Sequence, residues 1–226
     1  MTMRHFILFL AMAAVSLAGC KKDNYQAPAS TLKGQVSYQK QPIGLRSNGV
    51  QLELWQPGFE LSTKIPLYLA QDGTFSASVF DGKYKLVLLR GNGPWVNNSD
   101  TIDVNVNGAT EIEVPVTPYF MINGASMTQN GTTISATFSL QQVNNSLPLD
   151  AVTLYVGATT IVDQVNSVAS KAKPASEITD ITAPITLSVT VPQSLISKGY
   201  AYVRVGAKTA GVAEMIYTIP QKLATK

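Results

Sequence analysis

Apolar and polar side chains alternate with a period of two along most of this chain, and turn dipeptides cut the alternation at short intervals. Leu32, Val36 and Tyr38 alternate with Lys33, Gln35 and Ser37, and Val50, Leu52 and Leu54 alternate with Gln51 and Glu53. A weaker strand follows around Lys64 to Ala70. Phe75, Ala77 and Val79 then oppose Thr74, Ser76 and Ser78, and Tyr84 to Leu89 is nearly continuous, as suits a central strand. Ile102, Val104 and Val106, then Ile112, Val114 and Val116, complete seven predicted strands. Asn48-Gly49, Asp72-Gly73, Asp81-Gly82 and Asn107-Gly108 mark reversals, because Gly and Asn accept the positive φ of tight turns.

The second half follows the same plan with a different sequence. Short Met121–Asn123 precedes Ile134–Leu140 and Val152–Val156, and a weaker stretch runs from Ile161 to Val168. Ile185–Val191, Tyr200–Val205 and Val212–Ile219 follow, and no helical stripe of useful length occurs. Pro115 and Pro118 disfavour pairing through a single sheet, so a domain boundary is expected there. The expected class is all-β, with two consecutive β-sandwich domains over 31–117 and 118–226.

Residues 1–19 break the pattern. Arg4 and His5 give a basic start, Phe6 to Leu17 is apolar apart from Ser16, and Ala18 and Gly19 are small. That order is the order of a secretory signal peptide, and the run is shorter than the ~20 residues of a spanning helix. Residues 20–30, from Cys20 through Lys21, Lys22 and Asp23 to Ser30, are polar and aperiodic and read as a flexible tether. Leu17-Ala18-Gly19-Cys20 resembles the bacterial lipoprotein box. The resemblance implies a leader cut before Cys20 and acyl chains on Cys20 that anchor the protein to a membrane. Lys21-Lys22-Asp23 is similar to the surface-export signal of Bacteroides-type lipoproteins, which implies outer-membrane anchoring facing the cell exterior, with the periplasmic face as the alternative.

Composition removes several functions. The single Cys is Cys20 and the single His is His5, so the chain beyond the tether offers no Cys/His zinc site, no Ser-His-Asp or Cys-His dyad, and no disulfide. The 17 basic and 14 acidic residues give a net charge of +3, and the basic ones are scattered, so a nucleic-acid footprint is not expected. No Asp/Asn-rich loop has the ligand density for calcium. Neither a metal nor a cofactor is expected. A glycosidase working with carboxylates alone would need two of them at a set separation, and no local pattern proposes a pair.

Leu32-Lys33-Gly34-Gln35-Val36, Gln71-Asp72-Gly73-Thr74-Phe75 and Phe80-Asp81-Gly82-Lys83-Tyr84-Lys85-Leu86 resemble transthyretin-like, carboxypeptidase-regulatory-like domains. The second half is similar to an immunoglobulin or fibronectin-III-like sandwich. Leu52-Glu53-Leu54-Trp55-Gln56-Pro57-Gly58, Gly91-Asn92-Gly93-Pro94-Trp95 and Pro118-Tyr119-Phe120 resemble a domain-of-unknown-function family of Bacteroides-type surface lipoproteins. That resemblance implies a non-catalytic accessory role beside SusC/SusD-type glycan-uptake systems, with glycan or those outer-membrane proteins as partners. A structural or adhesive surface subunit is the alternative, and a carboxylate-only hydrolase is a third reading.

Trp55 and Trp95 are the only tryptophans, each beside a Gly/Pro-rich loop, where an indole can stack on the CH-rich face of a sugar. Asn92, Asn97 and Asn98 surround Trp95 with amides suited to sugar hydroxyls. Trp55 shares the parity of Gln51 and Glu53 and should face away from its strand's core side; the bland alternative packs it under the Gln56–Thr63 loop. If the seven strands reverse at every turn, the Trp55 and Trp95 loops lie at opposite ends and cannot form one platform. Trp95 then falls at the end where the second domain attaches, either as a ligand contact or as a ring buried against Tyr119 or Phe120.

Overall fold

A computed structural model describes residues 26–58 and 63–225. The leader, Cys20 and the first part of the tether lie outside the described residues, as does 59–62 in the loop after Trp55. Of the described residues, strand accounts for 55% and helix for 5%, and the sheets fall into two sandwich domains, as the alternation predicts.

The first domain contains β1 (Ser30–Tyr38), β2 (Gln41–Pro42), β3 (Gln51–Trp55) and β4 (Ile65–Tyr68). It continues with β5 (Thr74–Val79), β6 (Gly82–Leu88), β7 (Thr101–Val106) and β8 (Ala109–Pro115). One sheet is built around β1: β5 pairs with Ser30–Gln35 and β2 with Ser37–Tyr38, while β8 runs parallel to β1 over Thr31–Ser37. A strand has two edges, so β2 and β5 share one of them and β8 takes the other. The second sheet has the order β4-β3-β6-β7, all antiparallel. The parallel β1–β8 pair is what reversal at every turn demands of the first and seventh long strands.

Within the first domain, the strand missing from the sequence reading is β2. Its turn uses Gln39 and Lys40 at φ 50° and 65°, a left-handed pair without the Asn or Gly that normally announces it. By contrast, Asn48 (φ 56°), Gly73 (φ 77°) and Gly108 (φ 61°) occupy the left-handed region where the dipeptides place them.

The second domain contains β9 (Phe120–Asn130), β10 (Thr133–Gln142), β11 (Leu149–Gly157) and β12 (Ala169–Pro174). Then come β13 (Ile185–Thr190), α1 (Gln193–Lys198), β14 (Tyr200–Thr209), β15 (Ile216–Tyr217) and β16 (Gln221–Ala224). A three-stranded sheet β13-β10-β9 faces a sheet in the order β12-β11-β14, with β15 and β16 in succession along the far edge of β14.

Three expectations are corrected here. Strand β9 is eleven residues long, not three, because a bulge at Gly124 (φ 60°) breaks the alternation and the register shifts opposite Thr137–Ser139. Ile161 to Val168 is a loop, and the strand that pairs with β11 is the polar Ala169–Pro174. The expected strand Val212–Ile219 shrinks to β15, Ile216–Tyr217, with β16 following it, while the unassigned stretch between Val191 and Tyr200 forms α1, bounded by Pro192 and by Gly199 at φ 85°.

A single apolar cluster runs through both domains, from Leu32, Leu52 and Leu86 to Phe138, Leu154 and Val203, all buried. Each such side chain contributes ~1.5–3 kcal/mol of transfer free energy. With no disulfide available, this burial holds the fold.

Candidate functional site

The loop from β6 to β7 carries Trp95 to the seam between the domains. There the Trp95 backbone bridges Pro118, Val96 N donates to Thr117 O (2.9 Å), and Tyr119 N donates to Pro94 O (3.2 Å). The ring is buried at 4% exposure. It lies over Gly93 so closely that a Cβ there would stand 2.3 Å from two ring carbons, which only glycine avoids. Of the two readings of Trp95, burial at the junction is the one the fold adopts. As an open stacking platform for a ligand, Trp95 is corrected: the ring is spent on packing.

Trp55 lies at the other end. Its register partner is Lys85 and its loop passes Gly82 at the start of β6, whereas the Trp95 loop leaves from Leu88. As parity predicts, it shares a face with Glu53. Its Nε1 donates to Glu53 Oε2 (3.1 Å), while Lys64 Nζ holds Oε1 (2.5 Å). The two indoles therefore do not cooperate.

The asparagines divide. Asn92 accepts from Gln51 N through Oδ1 (2.6 Å) and braces the loop against β3. Asn97 and Asn98 instead line a hollow of about 370 Å³ together with Asn144 of the second domain. Leu88, Val96, Pro115 and Val116 supply its apolar surface. Asn97 Oδ1 accepts from Gly91 N (2.7 Å), Asn98 Oδ1 from Asp100 N (2.9 Å), and Asn144 Oδ1 from Ser146 N (3.0 Å). Because a backbone N–H can only donate, each amide oxygen is fixed in place and each NH2 group is left to donate elsewhere. The hollow thus presents amide donors beside an apolar surface. The sequence reading missed Asn144, which is remote in the chain; its only local signal is the turn-forming Asn144-Asn145-Ser146.

This hollow draws on both domains, so their relative position matters, and a buried arginine fixes it. Arg204 on β14 has no exposed surface. Its Nε donates to Thr218 O (2.5 Å), Nη1 to Gln71 Oε1 (3.0 Å), and Nη2 to Leu45 O (2.7 Å) and Gln71 O (3.0 Å). The guanidinium also lies 4.4 Å over the Tyr217 ring. Burial lowers its pKa to about 10, against the opposing pull of Tyr217 and Asp163. Beside it, burial and then Tyr155 push the Tyr217 phenol well above its ordinary value. Arg46 bonds Glu214 across the same seam (2.6 Å), and the hydrogen bond to Glu214 raises its pKa. Tyr217 N donates to Gly44 O (2.9 Å) in a backbone bridge where a Cβ on Gly44 would meet Tyr217 O at 2.0 Å.

Among the described residues, no group of three or more acidic, His or Cys side chains could hold a metal ion. The buried carboxylates are engaged: Glu53 with Lys64, Glu214 with Arg46, and Asp163 with Val165 N and Asn166 N of its own loop.

A search of curated proteins found no match. Among solved structures, a DUF3823 family protein from Parabacteroides merdae is 36% identical, with a TM-score of 0.80, over 88% of this chain and 100% of that one. One from Bacteroides ovatus is 34% identical, with a TM-score of 0.80, over 87% and 100%. A Bacteroides uniformis protein described as a "putative carbohydrate binding protein" shares the fold at 19% identity and a TM-score of 0.70, over 87% and 99%. The family model for "Protein of unknown function (DUF3823) N-terminal domain" matches residues 30–117, and that for "Domain of unknown function (DUF3823_C)" matches residues 120–222. Matched along both of its sandwiches, the chain belongs to the DUF3823 family.

Proposed function

We propose that this protein is a non-catalytic surface lipoprotein, anchored to the outer membrane through Cys20, that binds carbohydrate at the seam hollow and serves polysaccharide capture beside SusC/SusD-type proteins. The observation that carries the reading is the set of asparagines, Asn97, Asn98 and Asn144, whose oxygens are tied down and whose NH2 groups take no acceptor among the described residues, next to an apolar surface. Amide donors beside apolar contact suit a sugar ring, which offers hydroxyl acceptors and a CH-rich face. The likeness to the B. uniformis protein shows fold alone, but its description gives a direction for the choice of ligands.

Calorimetry of the mature protein against a polysaccharide panel tests the proposal. Binding should weaken about tenfold in the Asn97→Ala/Asn144→Ala double variant, the equivalent of one lost hydrogen bond to a polar ligand. Silence across the panel, or unchanged binding in the double variant, would count against the seam hollow. The anchor has its own test: labelled palmitate should enter the protein and be lost in Cys20→Ser.

The adhesive alternative draws on strand exchange, and the position of β1 between β5 and β8 weighs against donation of the first strand.

A further inference from the structure

We propose a second carbohydrate site, on the outer face of the β5-β1-β8 sheet, shaped for an extended neutral oligosaccharide; it rests on the carbohydrate reading above but not on the seam hollow. A hollow of about 500 Å³ lies here, lined by Gln35, Tyr68, Thr74 and Ser76 with Lys33 and Glu111. Lys33 and Glu111 also line a neighbouring hollow of about 290 Å³ that reaches Thr31 and Thr110. The shared residues join the two into one trough crossing three strands. Pairing places Ser76, Lys33 and Glu111 in one row and Thr74, Gln35 and Glu113 in the next. Adjacent strands are ~4.8 Å apart, so each row spans about 10 Å.

Two features make this more than the solvated side of a sheet. Tyr68 is 53% exposed, because Leu67 and Leu69 take the inward positions of the alternation. An aromatic face therefore stands at the margin of a polar trough, the pairing of surfaces that sugar rings use. Lys33 and Glu111 are register neighbours of opposite charge, yet the described ion pairs do not include them. A donor and an acceptor are thereby left for ligand hydroxyls. The ligand class follows from the lining: Glu111 and Glu113 outnumber Lys33 and repel an anionic glycan, while Gln35, Thr74 and Ser76 offer uncharged partners to hydroxyls, so a neutral chain fits best.

The test uses the full mature chain with linear neutral gluco-, manno- and xylo-oligosaccharides, read by calorimetry. Tyr68 is on the surface, so Tyr68→Ala should fold normally and weaken binding about tenfold, while Tyr68→Phe, which keeps the ring face, should bind like the parent. The Asn97→Ala/Asn144→Ala variant should leave this site's binding intact. If Tyr68→Ala binds as tightly as the parent, the trough is not a site and the seam hollow stands by itself. If Tyr68→Ala loses binding while the asparagine variant keeps it, the trough stands and the seam assignment falls. Absence of binding to every saccharide overturns both.

Discussion

Single residues carry more of the tertiary arrangement than their number suggests. Arg204 sits in the apolar run Tyr200–Val205, and a lone arginine there signals a buried charge that must find partners. The sequence can raise that alarm, but it cannot say that the partners are Leu45, Gln71 and Thr218, two of them in the other domain. Tyr155 and Tyr217 offer a measurement at the same place. Burial raises both phenols above the ordinary 10.0. A raised acid keeps its proton in the folded state after the unfolded chain has lost it. This contribution to stability is therefore complete below the ordinary phenol pKa and is lost as pH climbs above it. In an alkaline titration followed by phenolate absorbance, these two should ionise only as the protein unfolds, and Tyr217→Phe should remove one late-titrating group. If all nine tyrosines ionise together before unfolding, the buried cluster is wrong.

At the scale of elements, alternation identified every long strand of the first domain. A half-buried strand of a sandwich has little freedom over which face each side chain takes. It failed where local chemistry was unusual. The β1–β2 turn carries Gln39 and Lys40 in left-handed backbone that costs an L-residue about 1 kcal/mol. Lys40→Gly should relieve part of that and raise stability by about 0.5–1 kcal/mol in a denaturant titration; a loss instead would mean that the turn is not of this type. Strand β9 runs well past the Met121–Asn123 that the sequence marks, because a bulge lets the hairpin continue through Gly124, Ala125 and Ser126.

For the whole molecule, the two sandwiches meet at a seam that is both apolar and hydrogen-bonded, which predicts that they unfold together. Gly44 is the sensitive point. A side chain there collides with the Tyr217 carbonyl, so Gly44→Val should cost about 3 kcal/mol and split a single calorimetric transition into two. One unchanged transition would show that the backbone bridge does not couple the domains. Trp95, Asn97 and Asn98 were visible in the sequence as a loop rich in candidate chemistry, but which of them face a ligand was not. The amino-acid pattern alone determined the all-β class, the two sandwiches and the opposite placement of the two indoles, because those follow from parity and turn residues close together in the chain. Only the tertiary structure decided that Trp95 is packing, that Asn144 joins Asn97 and Asn98, and that Tyr68 overlooks a trough. Each of these depends on how distant segments meet, and that is governed by contacts with no local trace in the sequence.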